Sequence, residues 1–600
     1  MKIRCALGAS VGFVLLACAA PALAWGGKIL SERPCPVDEP MGMTAQGDAL
    51  WISDMATRTI VEVKADGTIG AKLSAHGNAP TGLTFDQGML LLADRDHDFF
   101  ERWKPGSGQY ERPIAYYERW AAGLANDGRS LFVVDARDAK VHRVDSKDGT
   151  TIASWPAPAS NPTGIAYDGR QLWVADHVTD ELYRVDPRDG MVTAVVRAPG
   201  PYASGLAVAG GSLWVADYQL RKLFQVSLPD DTPYVEDQER RVRASYELTY
   251  RVTGPGRVTK LVSYLAVPGA LPGQHVIAEP KFDPAPTRFV QDKWGQRLAV
   301  FELGTVEAGQ VRRVRWEGDF SVQRIRFQMG PEKTGGAIPA ELTKWLADDV
   351  KYDLGSRSIT ELVERVTAGK RSAYDKARAI YEHLAKSITY DRSGGWNNAA
   401  AVLERGTGSC SEYTFALVAM LRKAGIPARY VGAISERGDE ASFDDVFHRW
   451  AEAWLPGYGW VPMDANAAHG KGPGERAAYF GGRSNRHVVT TIGGGGSEYL
   501  EWGYNHHEDY AAEGGATLEI QPIGRFRPLS EGPEPSPARA TRVIAPALEE
   551  PAEAKTSRWE RATQGRIGDP WLVALVILVA VAIGFGLGKA GASAGATGKG

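Results

Sequence analysis

A repeat of 40 or 41 residues runs through the first third of the chain and restricts that part to few architectures. Glycine followed by an aliphatic residue or methionine recurs as Gly42-Met43, Gly82-Leu83, Gly123-Leu124, Gly164-Ile165 and Gly205-Leu206. A short apolar run ending in aspartate keeps step with it: WISD to Asp54, LLAD to Asp94, FVVD to Asp135, WVAD to Asp176 and WVAD to Asp217. A further run follows in each copy, such as KVHRVD or ELYRVD. A unit of about 40 residues with roughly four short strands cannot bury its own faces, and radial stacking of such units gives a β-propeller. Residues 25–235 are therefore expected to form an all-β propeller of about five blades, or six with one degenerate copy. Lys28 to Leu30 is expected to add the outer strand that closes the ring. The repeated aspartates suggest metal ligands, but an acceptor in the same slot of every blade more simply serves the turn that follows.

A second stretch, Arg405 to Pro427, reads RGTGSCSEYTFALVAMLRKAGIP. Tyr413, Ala416, Leu417, Met420, Leu421 and Ala424 fall at the spacing of one buried helix face. Ser409 with Glu412 three positions on is a capping box, so Cys410 is expected as the first helical residue. Gly425 and Pro427 end the helix. A thiol there faces unpaired backbone N–H groups and the positive end of the helix dipole, both of which favour the thiolate. The same N–H groups can hold an oxyanion after attack on a carbonyl.

Further on, VFHRWAEAWLPGYGWVPMD alternates as a strand from Val446, turns at Pro456 to Gly459 and returns to Asp464. Antiparallel pairing would bring His448 and Asp464 together, the carboxylate orienting an imidazole able to take the thiol proton. With the preceding KARAIYEHLAKSITYD, these motifs resemble the transglutaminase-like superfamily over roughly Ile338 to Thr491. That fold is related to papain-like cysteine peptidases. The resemblance implies an α+β catalytic domain, set here at 331–527, with Cys410 as nucleophile, His448 as general base and Asp464 as orienting carboxylate. It leaves the reaction open among peptidase, amidase, transglutaminase and inactive forms. No calcium-site pattern is visible, so no metal and no cofactor is expected. Trp396, Trp450 and Glu452 are candidates to line the substrate cleft. The cluster His506-His507-Glu508-Asp509 is expected to be a solvated polar loop. The propeller repeat resembles the NHL or YVTN class, whose default use is binding at a rim or central mouth.

Between ring and catalytic domain, residues 236–330 alternate strictly at Val242, Ala244, Tyr246, Leu248, Tyr250 and Val252, as expected for a β-sandwich. Residues 1–24 read as a signal peptide with basic Lys2 and Arg4, an apolar core and Ala22-Leu23-Ala24 for cleavage; Cys18 sits in a loose lipobox. Residues 528–570 are a Pro/Ala/Glu-rich linker. Trp571 to Leu587 carries no charge and reads, within 571–588, as one transmembrane helix, followed by a cytoplasmic tail, 589–600, with Lys589 and Lys599. The implied topology is type I, with the bulk of the chain periplasmic or extracellular. Without the leader only Cys35 and Cys410 remain, both expected as free thiols. A net charge of −3 offers no case for nucleic acid. The expected function is a membrane-anchored thiol enzyme acting on amide bonds of a peptide or protein substrate, hydrolysis preferred over transamidation. The alternative is a non-catalytic envelope scaffold whose propeller grips a protein or cell-envelope partner.

Overall fold

A computed structural model describes residues 27–116, 120–228, 232–330, 336–392 and 396–529. The expected signal peptide, most of the linker, the transmembrane helix and the tail lie outside these residues. Among the described residues no helix is long and apolar enough to cross a membrane.

The repeat folds into five four-stranded antiparallel sheets. Their innermost strands are Pro40–Gln46, Pro80–Asp86, Ala121–Asn126, Pro162–Tyr167 and Ala203–Ala209. Each packs on the next and the fifth packs on the first, which makes a propeller-like closed ring. The repeated glycines are explained by that closeness. A Cβ on Gly42 would lie 1.7 Å from the Thr81 carbonyl oxygen, one on Gly82 2.6 Å from the Gly123 carbonyl carbon, and one on Gly205 3.0 Å from Met43 Cβ. Only a residue without a side chain lets neighbouring backbones approach so far. The ring closes with Ile29–Pro34 as the outer strand of the fifth sheet, beside Lys222–Ser227.

The repeated aspartates are consumed by their turns. Asp54 accepts from the Glu39 and Ala56 N–H groups, Asp94 from Ala79 and Asp96, and Asp135 from Arg137 and Asp138. Asp176 accepts from Asn161, Val178 and Thr179, and Asp217 from Tyr202 and Leu220. Asp54, Asp94, Asp176 and Asp217 each tie the start of their sheet to the turn after its second strand, while Asp135 closes that turn alone.

The sandwich is built from two distant parts of the chain. One sheet runs Gln274–Asp283, Val311–Phe327, Tyr234–Thr253, Thr517–Pro528, Ser442–Asp444. The other runs Arg288–Gln291, Arg297–Glu307, Arg257–Ala266, His506–Glu513. The alternating residues from Val242 to Val252 are buried between them, as expected. The boundaries 236–330 and 331–527 need correction, because residues 506–528 return to finish both sheets. The His506 to Asp509 cluster is strand, not loop: His507 pairs with Tyr264 and His506 with Leu265. Its residues are half-buried at most, so no apolar alternation marks them.

Inserted between these parts is an α+β unit. A four-stranded antiparallel sheet in the order Gly459–Met463, His448–Leu455, Ala428–Ser435, His487–Gly493 carries the helices Arg357–Val366, Ala373–Ser387, Ala399–Arg405 and Cys410–Lys423. Ala377, Ile380, Tyr381 and Leu384 of the second helix share a core with Leu417, Met420 and Leu421 of the last, as their spacing predicts. This unit touches the ring along the outer strand of its fourth sheet, through the Arg378–Asp189 ion pair at 2.7 Å and the Gly474 N–H to the Pro158 carbonyl at 2.9 Å.

Candidate active site

Cys410 opens the helix Cys410–Lys423. Ser409 is its N-cap and the capping box is formed: Glu412 accepts from the Ser409 N–H at 2.9 Å while its own N–H reaches Ser409 Oγ. Glu412 is fully buried and also accepts from the Asn397 N–H and the Arg405 guanidinium, each at 3.0 Å, which fixes the loop before the cysteine. The helix departs from the expected one-sided burial. Every residue from Cys410 to Arg422 is buried, so it threads the centre of the unit. Its buried Arg422 is satisfied by the carbonyls of Ala347, Ala428 and Gly494.

His448 begins the strand His448–Leu455, and Asp464 directly follows Gly459–Met463. Ala451 pairs with Met463, so the hairpin carries the two chain ends to one place. His448 Nε2 lies 2.6 Å from Asp464 Oδ2, and Asp464 Oδ1 accepts from the Ala467 N–H at 3.0 Å. That leaves Nδ1 for the Cys410 thiol, which lies close enough to His448 for each group to shift the other's titration. Three residues far apart in sequence thus form one row at the tip of a helix.

Electrostatics follow from this packing. Cys410 is 8% exposed, and burial pushes its thiol up, but the hydrogen bond and positive charge of His448, with the Arg449 backbone N–H and guanidinium, bring it below its ordinary value. Burial pulls His448 down, yet the charge and hydrogen bond of Asp464 and the bond to Cys410 raise it to about 10. Asp464 is held below the usual carboxylate range, burial being outweighed by His448 and the Ala467 N–H. All three directions agree with a thiolate–imidazolium pair beside a carboxylate.

Two residues that the motifs did not mark stand behind this row. Arg449 is fully buried, its guanidinium surrounded by the rings of Tyr504 at 4.2 Å, Tyr430 at 4.6 Å, Trp396 at 5.0 Å and Phe415 at 5.3 Å. One nitrogen donates to the Trp502 carbonyl at 2.6 Å, while Nε and Nη1 lack partners. Among the described residues no carboxylate is within ion-pair distance of it. His487 stacks on His448 with centroids 5.5 Å apart and contacts Ser435 Oγ through Nδ1 at 3.0 Å. Burial, then the charge of His448, pushes it down to about 3, so it stays neutral. No sequence pattern flags either residue; each is one polar position in an ordinary strand.

Cys410 opens onto a cavity of about 690 Å³. Trp396 lines it with a left-handed backbone, φ 54°, stacked on Tyr504 at 6.3 Å, and Tyr390, Phe447 and Trp502 complete its aromatic lining. The sandwich strand His506–Glu513 contributes His506 and Glu508. Burial, with Asp509 and Glu501 nearby, raises Glu508 to about 7. Trp450 and Glu452 do not line the cavity. Trp450 is buried behind His448 and His487, and Glu452 is held by Arg429 at 2.6 and 2.8 Å farther along the strand. Strand alternation places them on the His448 face but does not carry them to the cleft. Among the described residues no group of three His, Cys, Asp or Glu could hold a metal ion.

A buried thiol at a helix start, beside an imidazole that a carboxylate orients, defines a thiol-enzyme fold. Residues 360–465 match the transglutaminase-like superfamily, so the chain carries a transglutaminase-like domain containing Cys410, His448 and Asp464. A curated relative, the uncharacterized protein YebA of Bacillus subtilis (strain 168), is 27% identical over 124 residues, which cover 18% of this chain and 17% of the relative. Among solved structures, a Cytophaga hutchinsonii protein provisionally assigned as a cysteine protease covers 48% of this chain and 92% of its own at 14% identity and TM-score 0.36. The glutaminyl cyclase of Myxococcus xanthus covers 34% of this chain and 96% of its own at 17% identity and TM-score 0.31.

Proposed function

We propose that the chain is a thiol enzyme acting on amide bonds of a peptide or protein. The observation that carries this reading is the Cys410 thiol at the start of a buried helix, beside a His448 that Asp464 holds at 2.6 Å. The Cys410 thiolate attacks the amide carbonyl, forming the Sγ–C bond, and the oxyanion is held by the Cys410 backbone N–H at the positive helix end. His448 gives its proton to the leaving nitrogen as the C–N bond breaks, leaving a thioacyl group on Cys410. Water then attacks that carbon, its proton passes to His448, and Sγ departs with the acid released. Asp464 keeps His448 oriented throughout and stabilises its imidazolium in the steps where it carries the proton. Exposed Arg392, Asp445 and Glu501 rim the cavity and give water access, which supports hydrolysis over transfer to an amine.

Hydroxylamine tests this reading, because it captures a thioacyl group as a hydroxamate. Peptide amides incubated with the full chain and hydroxylamine are expected to give hydroxamate, and Cys410→Ser none. Equal hydroxamate from both proteins would overturn the assignment.

The leader at 1–24 and the uncharged run Trp571 to Leu587 support anchorage with the enzyme outside the cytoplasmic membrane. The full chain is then expected to stay with membranes through alkaline carbonate, and a chain ending at residue 529 to be released. Release of both would remove the anchor.

A further inference from the structure

The second residue of every innermost strand in the ring, Met41, Thr81, Ala122, Thr163 and Ser204, faces one central cavity of about 330 Å³. Two other repeat slots complete its wall: the residue just before an innermost strand, and the one or two residues after a repeated aspartate. The first slot holds Trp120, Asn161 and Tyr202, and the second Arg95, Arg137 and His177. The aspartates themselves point into their turns, so the slots beside them are free to differ from blade to blade while the ring keeps its shape.

What fills those slots is one-sided. Two guanidiniums and an imidazole meet two aromatic rings, and none of the described lining residues is acidic. Arg95 lies over the Trp120 ring at 5.4 Å, with Nε buried and unpartnered, and His177 stacks on Tyr202 at 4.5 Å. Among the described residues neither Arg95 nor Arg137 has a carboxylate within ion-pair distance. Cations converging in a concave, partly apolar site without a counter-ion match an anion, and paired arginines suit the two oxygens of a carboxylate. The ring meets the rest of the chain along the outer strand of its fourth sheet, away from this central opening.

We propose that the mouth of the ring is a binding site for a small organic carboxylate with a planar apolar body. Arg95 and Arg137 take the carboxylate, and Trp120 and Tyr202 sandwich the body. The volume suits a ligand of one or two rings, at the lower end of common small-molecule sites.

Isothermal titration of the full chain with hydrocinnamate, indole-3-propionate and hydrocinnamamide tests this. Both carboxylates are expected to bind with one-to-one stoichiometry, and the neutral amide at least tenfold more weakly. The Arg95→Gln/Arg137→Gln variant, checked for an unchanged Tm, is expected to lose at least tenfold in affinity, and Trp120→Ala to lose less. Cys410→Ala is expected to bind as the parent does, which separates this site from the thiol cavity and keeps it independent of the enzyme reading. Absence of binding by both carboxylates at millimolar concentration, equal binding of the amide, or indifference to the arginine substitutions would each overturn the proposal.

Discussion

Two thiols remain among the described residues, and they occupy opposite electrostatic worlds. Cys35 follows the strand that closes the ring; burial raises it to about 11, the Val37 N–H offsets this in part, and Asp54 adds to it. Cys410 is more deeply buried than the half-buried Cys35, yet its thiol falls below the ordinary value. Burial alone disfavours the thiolate at both sites. The difference comes from what faces the sulfur: no imidazole among the groups acting on Cys35, but His448, Arg449 and a helix start at Cys410. Reactivity here is a property of the surroundings, assembled from three distant segments, rather than of burial or residue type.

Removing His448 should erase most of that contrast. With His448→Ala, turnover of an amide substrate is expected to fall by about 10²- to 10⁴-fold. The Cys410 thiol should rise above its ordinary value, because burial then acts with less opposition. Alkylation of Cys410 at neutral pH, followed by peptide mass spectrometry, would break the comparison if it stayed fast.

Asp464→Asn is expected to act comparably, lowering kcat by up to about 10⁴-fold, since the imidazole loses its orienting charge. The sign of the pH effect is fixed by the shifts. His448 is raised to about 10 beside Asp464, so the alkaline limb of the rate profile, where the imidazolium is lost, should move to lower pH in the variant. An alkaline limb that stays in place would contradict the role given to Asp464.

Replacing Asp176 by Ala probes the other side of the comparison, where carboxylates serve backbone instead of imidazole. Three N–H groups lose their acceptor, at a cost of about 2–4 kcal/mol in unfolding free energy. Denaturant unfolding should register that loss while the alkylation rate of Cys410 stays unchanged. A large change in Cys410 reactivity would mean that ring and thiol unit are energetically coupled.

The smallest effect is expected from Arg449→Met, which keeps an unbranched side chain among the four rings but removes the charge. The Cys410 thiolate should titrate about one pH unit higher, equivalent to about 1.4 kcal/mol. Thiolate absorbance in the ultraviolet reads this directly. No change would leave Arg449 as packing alone.

The ring and the Cys410 helix were legible because their signals are local. Gly42 and its equivalents mark where neighbouring backbones approach, Asp54 and its equivalents close turns, and Ser409, Glu412 and Gly425 punctuate one helix. The sandwich was legible only in part. Its strands at 506–513 and 517–528 pair with residues more than 200 positions earlier, and HHEDYAAE shows no buried face of its own. Arg449 escaped notice for a similar reason. In HRWAEAW it is one charge on an otherwise apolar strand face with no local partner to mark it, and its cage comes from residues 396, 415, 430 and 504. Trp450 and Glu452 show the converse error, since sharing a strand face with His448 does not extend the cleft along it; Glu452 is already engaged by Arg429.

Peptide-resolved iodoacetamide labelling of the native protein from pH 5 to 11 tests the Cys410–His448 pairing most directly, because Cys35 in the same sample is the internal control. The expected result is fast labelling of Cys410 at neutral pH on a curve with its midpoint below 9, and labelling of Cys35 that rises only towards pH 11. Superimposable curves for the two cysteines would contradict the account.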